Sequence, residues 1–308
     1  MGSFKKFLWK GLVYYGMLRV GLWALKFSSN TLVKTVRALQ SHQSLYGSKQ
    51  RDAYAVITGG TGGLGFQFAN QLAALGFNIV LIARDLEKLE KSAEQLRQSY
   101  EIAVKCIKFD FSQGEDSRAW IKLAEDLRDT DIGILVNNIG AYSWTSFEKQ
   151  TEGDIQGLIE NCIYATTFMT RIVVPGMLQR PKRSAVINIG SFAGEALVPT
   201  TAVNCASKRY IHRLTLCLAR EYEDKSIDFL CVIPGLIDTP GLAAWKAGTP
   251  ILVSSPESVV SAALTQVKTA RQRGNITYGT TNHALFSWLL TNPVTRRFFI
   301  KSTFGLKA

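Results

Sequence analysis

One stretch of the chain has the composition of a phosphate cradle. From residue 58 it reads Thr58-Gly59-Gly60-Thr61-Gly62-Gly63-Leu64-Gly65. Placed between a strand and a helix, such a turn lets an anion approach the backbone, and it aims the first N–H groups of the helix at that anion. Nineteen residues after Gly65 comes Arg84, where a dinucleotide site that reads an unmodified ribose carries an acid. A guanidinium there suits the 2′-phosphate of NADPH. The other reading of Arg84 is a solvated residue at the start of a helix. No metal chemistry is expected beside this site. The five cysteines (Cys106, Cys162, Cys205, Cys217 and Cys231) are odd in number and form no Cys-x-x-Cys pair, so neither a zinc site nor a disulfide framework is indicated.

For the cradle to work, the chain must supply the strand before it and the helix after it. Ala53 to Thr58 (AYAVIT) is a short apolar run of strand length, and a helix is expected from about Phe66 to Leu75, ending at Gly76. The rhythm repeats. Strands are expected at Asn78 to Ala83, Val104 to Asp110, Ile132 to Val136, Ala185 to Ile189 and Asp228 to Ile233. Helices are expected at Leu86 to Ser99, Ser117 to Leu127, about Gly153 to Leu178, and Ser207 to Tyr222. Strict alternation on this scale means an α/β fold, a doubly wound parallel sheet with helices on both faces. No internal repeat is present, and no linker splits the body.

Charge separates the ends from the middle. The formal charge is +12 over 308 residues. Residues 1 to 51 hold nine Lys/Arg and no acid, residues 258 to 308 hold seven and no acid, and residues 52 to 257 hold 20 basic and 24 acidic residues. A mildly acidic body with two basic, aromatic-rich ends suits an anionic membrane rather than nucleic acid. Phe7 to Phe27 is long enough to cross a bilayer, but Lys10, Arg19 and Lys26 interrupt it. From Arg19 onward, Arg19, Lys26, Lys34 and Arg37 fall on one helical face opposite Leu22, Leu25, Leu32, Val33, Val36 and Leu39, as in an interfacial helix. Packing of this helix on the body or on another subunit is the alternative. At the other end, Leu285, Phe286, Trp288, Leu289 and Leu290 are followed by Arg296, Arg297, Phe298, Phe299 and Lys301, a second expected membrane contact. Three segments result: a basic amphipathic helix over 1–45, an α/β domain over 52–257, and a basic extension over 258–308.

Taken together, the motifs of residues 52 to 257 resemble the short-chain dehydrogenase/reductase family. Thr-Gly-x-x-x-Gly-x-Gly stands as Thr58, Gly59, Gly63 and Gly65, and Asn-Asn-x-Gly stands as Asn137, Asn138 and Gly140. Asp110 matches the acid at the end of the third strand, and Pro234, Gly235 and Thr239 match a Pro-Gly-x-x-x-Thr segment. The resemblance implies a Rossmann fold and an NADPH/NADP+ site built from these residues with Leu64, Arg84 and Lys208. It also implies a catalytic set of Ser191, Lys208 and Asn161. The phrases at 81–84, 131–138 and 255–259 are similar to very-long-chain 3-oxoacyl-CoA reductases and 17β-hydroxysteroid dehydrogenases. That similarity implies a long-chain acyl-CoA or sterol substrate, a place at the endoplasmic reticulum membrane with the catalytic domain facing the cytosol, and pairing into a homodimer.

One member of the set departs from the pattern. The family's proton donor is a tyrosine four residues before the lysine and 13 after the serine, and that position is Asn204. No tyrosine occurs from 191 to 209, and Tyr210 falls about 160° around the helix from Lys208. An amide binds oxygen but does not ionise in the useful range. Two expectations follow: a reductase impaired or altered by the missing phenol, or a non-catalytic NADP(H)-binding scaffold or regulator.

Overall fold

Parallel strands buried on both faces need nearly continuous branched apolar sequence, and this chain supplies it five times. The computed structural model describes residues 19, 33–47, 52–112, 117–239, 253–292 and 295. The fully buried strands are β4 (Ile132–Asn137), β5 (Ser184–Ile189) and β6 (Ile227–Val232), while β1 (Tyr54–Thr58) and β2 (Asn78–Ala83) are buried after their first residue. β3 (Val104–Lys108) lies at one edge, with Lys105 and Lys108 exposed. The order is β3-β2-β1-β4-β5-β6 followed by β9 (Ile276–Thr277), all parallel. The crossover occurs between β1 and β4, the switch point where doubly wound sheets place ligands. The α/β doubly wound expectation holds.

Alternate strand residues feed two cores. Ala55, Ile57, Ile79, Leu81 and Val136 pack under α2 (Gly63–Ala74), α3 (Leu86–Ser99) and α8 (Pro256–Val267). Val56, Val80, Ile82, Leu135 and Val186 pack under α4 (Ser117–Leu127) and α6 (Ala165–Gln179), with Leu218 of α7 (Ala202–Glu221) against the same cluster. Side-chain caps set several helix starts. Asp85 accepts from Lys88 N before α3, and Thr151 and Asp154 form a reciprocal capping box before α5 (Glu152–Ile159).

Four features differ from the sequence reading. The long helix expected over 153–178 is interrupted by a π-helical segment, Glu160–Tyr164, a widened turn common at functional sites. α7 begins five residues earlier than expected, at Ala202, because the Thr201 carbonyl accepts from Cys205 N and its hydroxyl donates to Val198 O. A seventh strand, β9 (Ile276–Thr277), is added after a tight turn at Gly274 and Asn275, both with positive φ. Two residues offer no periodicity to read. The boundary expected at 257 also falls inside the α/β layers. α8 buries Val259, Val260, Ala263, Leu264 and Val267, and α9 (Thr281–Thr291) follows β9.

The chain divides into two units, Met1–Ser41 and His42–Ala308. In the first, residues 33–39 are helical and expose Val33, Val36 and Leu39. Apart from Arg19, the run Phe7 to Phe27 lies outside the described residues. The expected segment 1–45 is cut short because α1 (His42–Tyr46) belongs to the second unit. Its Tyr46 is fully buried. Gly133 permits this, since a Cβ there would stand 2.1 Å from Tyr46 O. Arg180 donates to the carbonyls of Tyr46 and Gly47 and pairs with Asp131 at 2.6 Å.

Candidate active site

The C-terminal ends of β1 and β4 are laced together by two side chains. Thr58 Oγ1 accepts from the backbone N–H groups of Asn138 and Ile139, both at 3.0 Å. Asn138 Nδ2 donates to Thr58 O at 3.1 Å and Gly59 O at 3.2 Å. The glycine turn is thereby fixed over the crossover. Gly59 (φ +65°) and Gly63 (φ +51°) hold conformations that L side chains rarely adopt. At Gly65 a Cβ would lie 2.2 Å from Gly59 O, so only glycine lets α2 approach β1 this closely. Gly62 caps α2 with no side-chain bond and opens onto empty space. The first-turn N–H groups are thus left for an outside acceptor. These features fit a pyrophosphate.

Arg84 follows β2 directly and is exposed, with no hydrogen bond or ion pair among the described residues. Asp110 sits two residues beyond β3, its Oδ1 accepting from Ser112 N and Ser112 Oγ.

Beyond the glycine turn lies a cavity of about 500 Å³. The expected residues Gly63, Leu64, Asn138, Gly140, Ser191, Asn204, Lys208, Pro234, Gly235 and Thr239 all line it. Asn204 and Lys208 stand one turn apart on α7. Lys208 Nζ donates to Ile189 O at 3.3 Å and would touch a Cβ on Gly140 at 3.0 Å, so that glycine leaves the ammonium its room. Ser191 is extended at the head of a short turn, its Oγ accepting from Ala193 N at 3.2 Å. That turn is pressed onto α7. A Cβ on Gly194 would meet Lys208 backbone at 2.8 Å, and Glu195 pairs with Arg209 and His212, each at 2.6 Å. Thr239 brings the Pro234-Gly235 segment back over the glycine turn, its Cγ2 3.4 Å from the place a Gly63 Cβ would take.

Asn204 is 7% exposed, and its Oδ1 is buried without a hydrogen-bond partner among the described residues. Tyr210, two residues after Lys208, does not line the cavity. It points away, exposed, with its hydroxyl 3.0 Å from Thr167 Oγ1. The ionisable groups lining the cavity among the described residues are Lys208 and Tyr142. Cys231, behind Gly190, has its thiol pushed up to about 12 by burial and is no nucleophile at neutral pH. Among the described residues no cluster could hold a metal ion.

Two expected residues stand elsewhere. Asn137 is buried and does not reach the cavity. Its amide donates to Thr170 Oγ1 and Asn188 Oδ1, and Asn188 continues to Thr215 Oγ1. This network ties β4, β5, α6 and α7 together. Asn161 lies in the π-helical segment and donates to Gly157 O at 2.8 Å, outside the cavity lining. The sequence reading passed over Tyr142, Trp144, Phe192 and Val198, which also line the cavity. The one available signal was a pair of aromatics at the second and fourth positions after Gly140. A wider hollow of about 640 Å³ between α4 and α6, reaching Asp131 and Arg180, contains none of these groups.

The short chain dehydrogenase family model matches residues 53–249. A very-long-chain 3-oxoacyl-CoA reductase of Neurospora crassa is 34% identical over 255 residues, covering 81% of this chain and 75% of that protein. An inactive hydroxysteroid dehydrogenase-like protein 1 of Mus musculus is 36% identical over 212 residues, 68% of this chain and 63% of that protein. Among solved structures, a short-chain dehydrogenase from Sphingobium yanoikuyae in complex with NADPH superposes with a TM-score of 0.66 at 28% identity, covering 74% of this chain and 88% of that one. With the glycine turn, the switch-point cavity and the Ser191 and Lys208 pair in place, the chain belongs to the short chain dehydrogenase family.

Proposed function

We propose that this chain binds NADP(H) together with a long-chain 3-oxoacyl-CoA or steroid ligand, and that it descends from a reductase whose proton-delivering group has been lost. The observation that carries this is Asn204, buried in the cavity wall one turn before Lys208. The glycine turn would hold the pyrophosphate, Arg84 the 2′-phosphate, and Lys208 the ribose hydroxyls near the nicotinamide. When bound, NADPH supplies a hydride for carbonyl reduction. Ser191 would hold the carbonyl oxygen, but an alkoxide developing there would also need a proton, and an amide does not give one up. A general acid is worth about 10² to 10⁴ in rate, and the chain forgoes that factor at residue 204. The ligand class follows the relatives: one is an acyl-CoA reductase by name, and another is called inactive. The basic ends support a place at the endoplasmic reticulum membrane with this domain on the cytosolic side. Pairing into a homodimer through the helices that hold Asn161 and Lys208 belongs to the same reading.

A second reading is a working reductase that takes its proton from elsewhere, and the phenol of Tyr142 in the cavity lining favours it. The experiment is NADPH oxidation with a long-chain 3-oxoacyl-CoA by the detergent-solubilised chain, run beside Asn204→Tyr and Tyr142→Phe. Turnover that appears only in Asn204→Tyr, by about 10² to 10⁴ over the parent, is the expected result. Equal turnover in the parent and Asn204→Tyr, abolished by Tyr142→Phe, makes the second reading correct.

A further inference from the structure

The last described helix turns two large apolar side chains to solvent. A helix on the surface of a water-soluble body turns its apolar stripe inward and its polar residues outward. α9 departs from this at two positions. Among its described side chains the buried ones are His283, 0% exposed, and Ser287, 3% exposed, one turn apart, whereas Leu285 and Trp288 are 55% and 56% exposed. This orientation is fixed. His283 Nε2 lies 2.9 Å from Leu236 O in β7 (Leu236–Ile237), and burial holds the ring below its ordinary pKa, so the neutral imidazole donates there. Thr280, which caps α9 by accepting from His283 N, also bonds Ser254 in β8 (Val253–Ser254). Rotating α9 to hide Leu285 and Trp288 would break both ties.

β7 contributes Leu236 and Ile237 to the cavity wall, so the helix with the apolar exterior is bonded to the rim of the ligand site. Near its other end, Thr291 lines a second hollow with Ala193 and Val198, which also line the cavity, and with Leu197, which is 76% exposed. Thr295 Oγ1 donates back to Leu289 O, so the chain is still at the end of α9 one residue before Arg296. The sequence that follows carries Arg296, Arg297, Lys301 and Lys307, with Phe298 and Phe299 among them, and no acid. Outward Leu285 and Trp288, continued in sequence by cations and aromatics, have the chemistry of an anionic lipid surface.

We propose that α9 lies on an anionic bilayer with Leu285 and Trp288 in the acyl boundary, holding the β7 wall of the cavity at the membrane so that an apolar ligand enters from lipid. The inference deepens the proposed function and rests on it for the ligand, whereas the docking face stands on α9 itself.

The test uses the full chain on vesicles of phosphatidylcholine with roughly 30% phosphatidylserine, doped with lipid brominated along the acyl chain. Tryptophan quenching is compared between the parent and Trp288→Phe. A quenched component that is lost in Trp288→Phe and diminished in Leu285→Glu is the expected result. Identical quenching in the parent and Trp288→Phe overturns the proposal, even if the chain is bound through its other end. A change of oligomeric mass in Leu285→Glu without any Trp288 quenching also overturns it and gives the face to a second copy. NADPH binding, followed by cofactor fluorescence without vesicles, is measured on the same samples. Its absence in the parent would count against the proposed function, and the quenching result would still decide the docking face.

Discussion

The two edges of the central sheet treat one buried polar group each in opposite ways. At the N-terminal edge a buried carboxylate is fully paired. Asp228, 1% exposed, receives Arg183 through two bonds at 2.9 and 2.6 Å, Arg271 at 3.0 Å and the Tyr46 hydroxyl at 3.1 Å. Arg271 spends its remaining donors on the carbonyls of Tyr222, Glu223, Lys225 and Ile227. At the C-terminal edge, Asn204 Oδ1 is left without a partner, the α2 N-terminus without a side-chain cap, and Arg84 without an ion pair among the described residues. An unmet acceptor in the wall of a cavity is one that a ligand can answer. The first edge holds α1 and the strand ends together, and the second waits for a ligand.

That contrast breaks most sharply at Asp228. Asp228→Ala would leave Arg183 and Arg271 facing each other in a buried site, a loss of about 3–5 kcal/mol for an uncompensated charge, and denaturant unfolding should show it with the slope unchanged. The opposite edge should respond in binding instead of stability. Arg84→Asp puts an anion where the 2′-phosphate is expected, and the ratio of NADPH to NADH affinity should fall by about 10- to 100-fold, on the scale of charge-assisted bonds, while the unfolding midpoint stays put. An unchanged ratio would remove Arg84 from the site. A large loss of stability in Arg84→Asp would erase the distinction between the edges.

The sequence announced the two edges unequally. Five of the buried strands and the glycine turn were legible because their signals are local: runs of Val, Ile and Leu, and glycines at fixed spacing. The register of Ser191, Asn204 and Lys208 was legible for the same reason, since i, i+4 spacing on a helix fixes a face. Asn137 was misplaced because the motif gives its position in the chain but not the direction of its side chain, which turns inward to Thr170 and Asn188. β9 and the burial of α8 were hidden because they depend on partners far away in sequence. The cluster around Asp228 was invisible for the same reason, as Tyr46, Arg183 and Arg271 meet only in three dimensions. Gly133 had a readable oddity, a glycine inside an apolar strand, whose cause is the Tyr46 backbone lying against it.

Glu195 offers the finest test, because it sits where the two treatments meet: a fully paired carboxylate that presses the Ser191 turn onto α7. The hydrogen bond from His212, helped by Arg209 and opposed by desolvation, holds its carboxyl below the usual carboxylate range. A carboxyl with a folded pKa below its unfolded value of about 4.3 adds stability at neutral pH. That stability is lost as the pH falls through the folded pKa. Arg209 is 55% exposed, so solvent screens part of the pairing and the contribution is about 1 kcal/mol. Glu195→Gln should therefore cost that amount at pH 7 and almost nothing near pH 3, narrowing the gap between the two unfolding curves on the acid side. If Glu195 also sets the position of Ser191, the substitution should weaken carbonyl-ligand binding at pH 7 while NADPH affinity holds. Equal losses of both would mean that the pair only supports α7, and the boundary between the two edges would then run above Glu195.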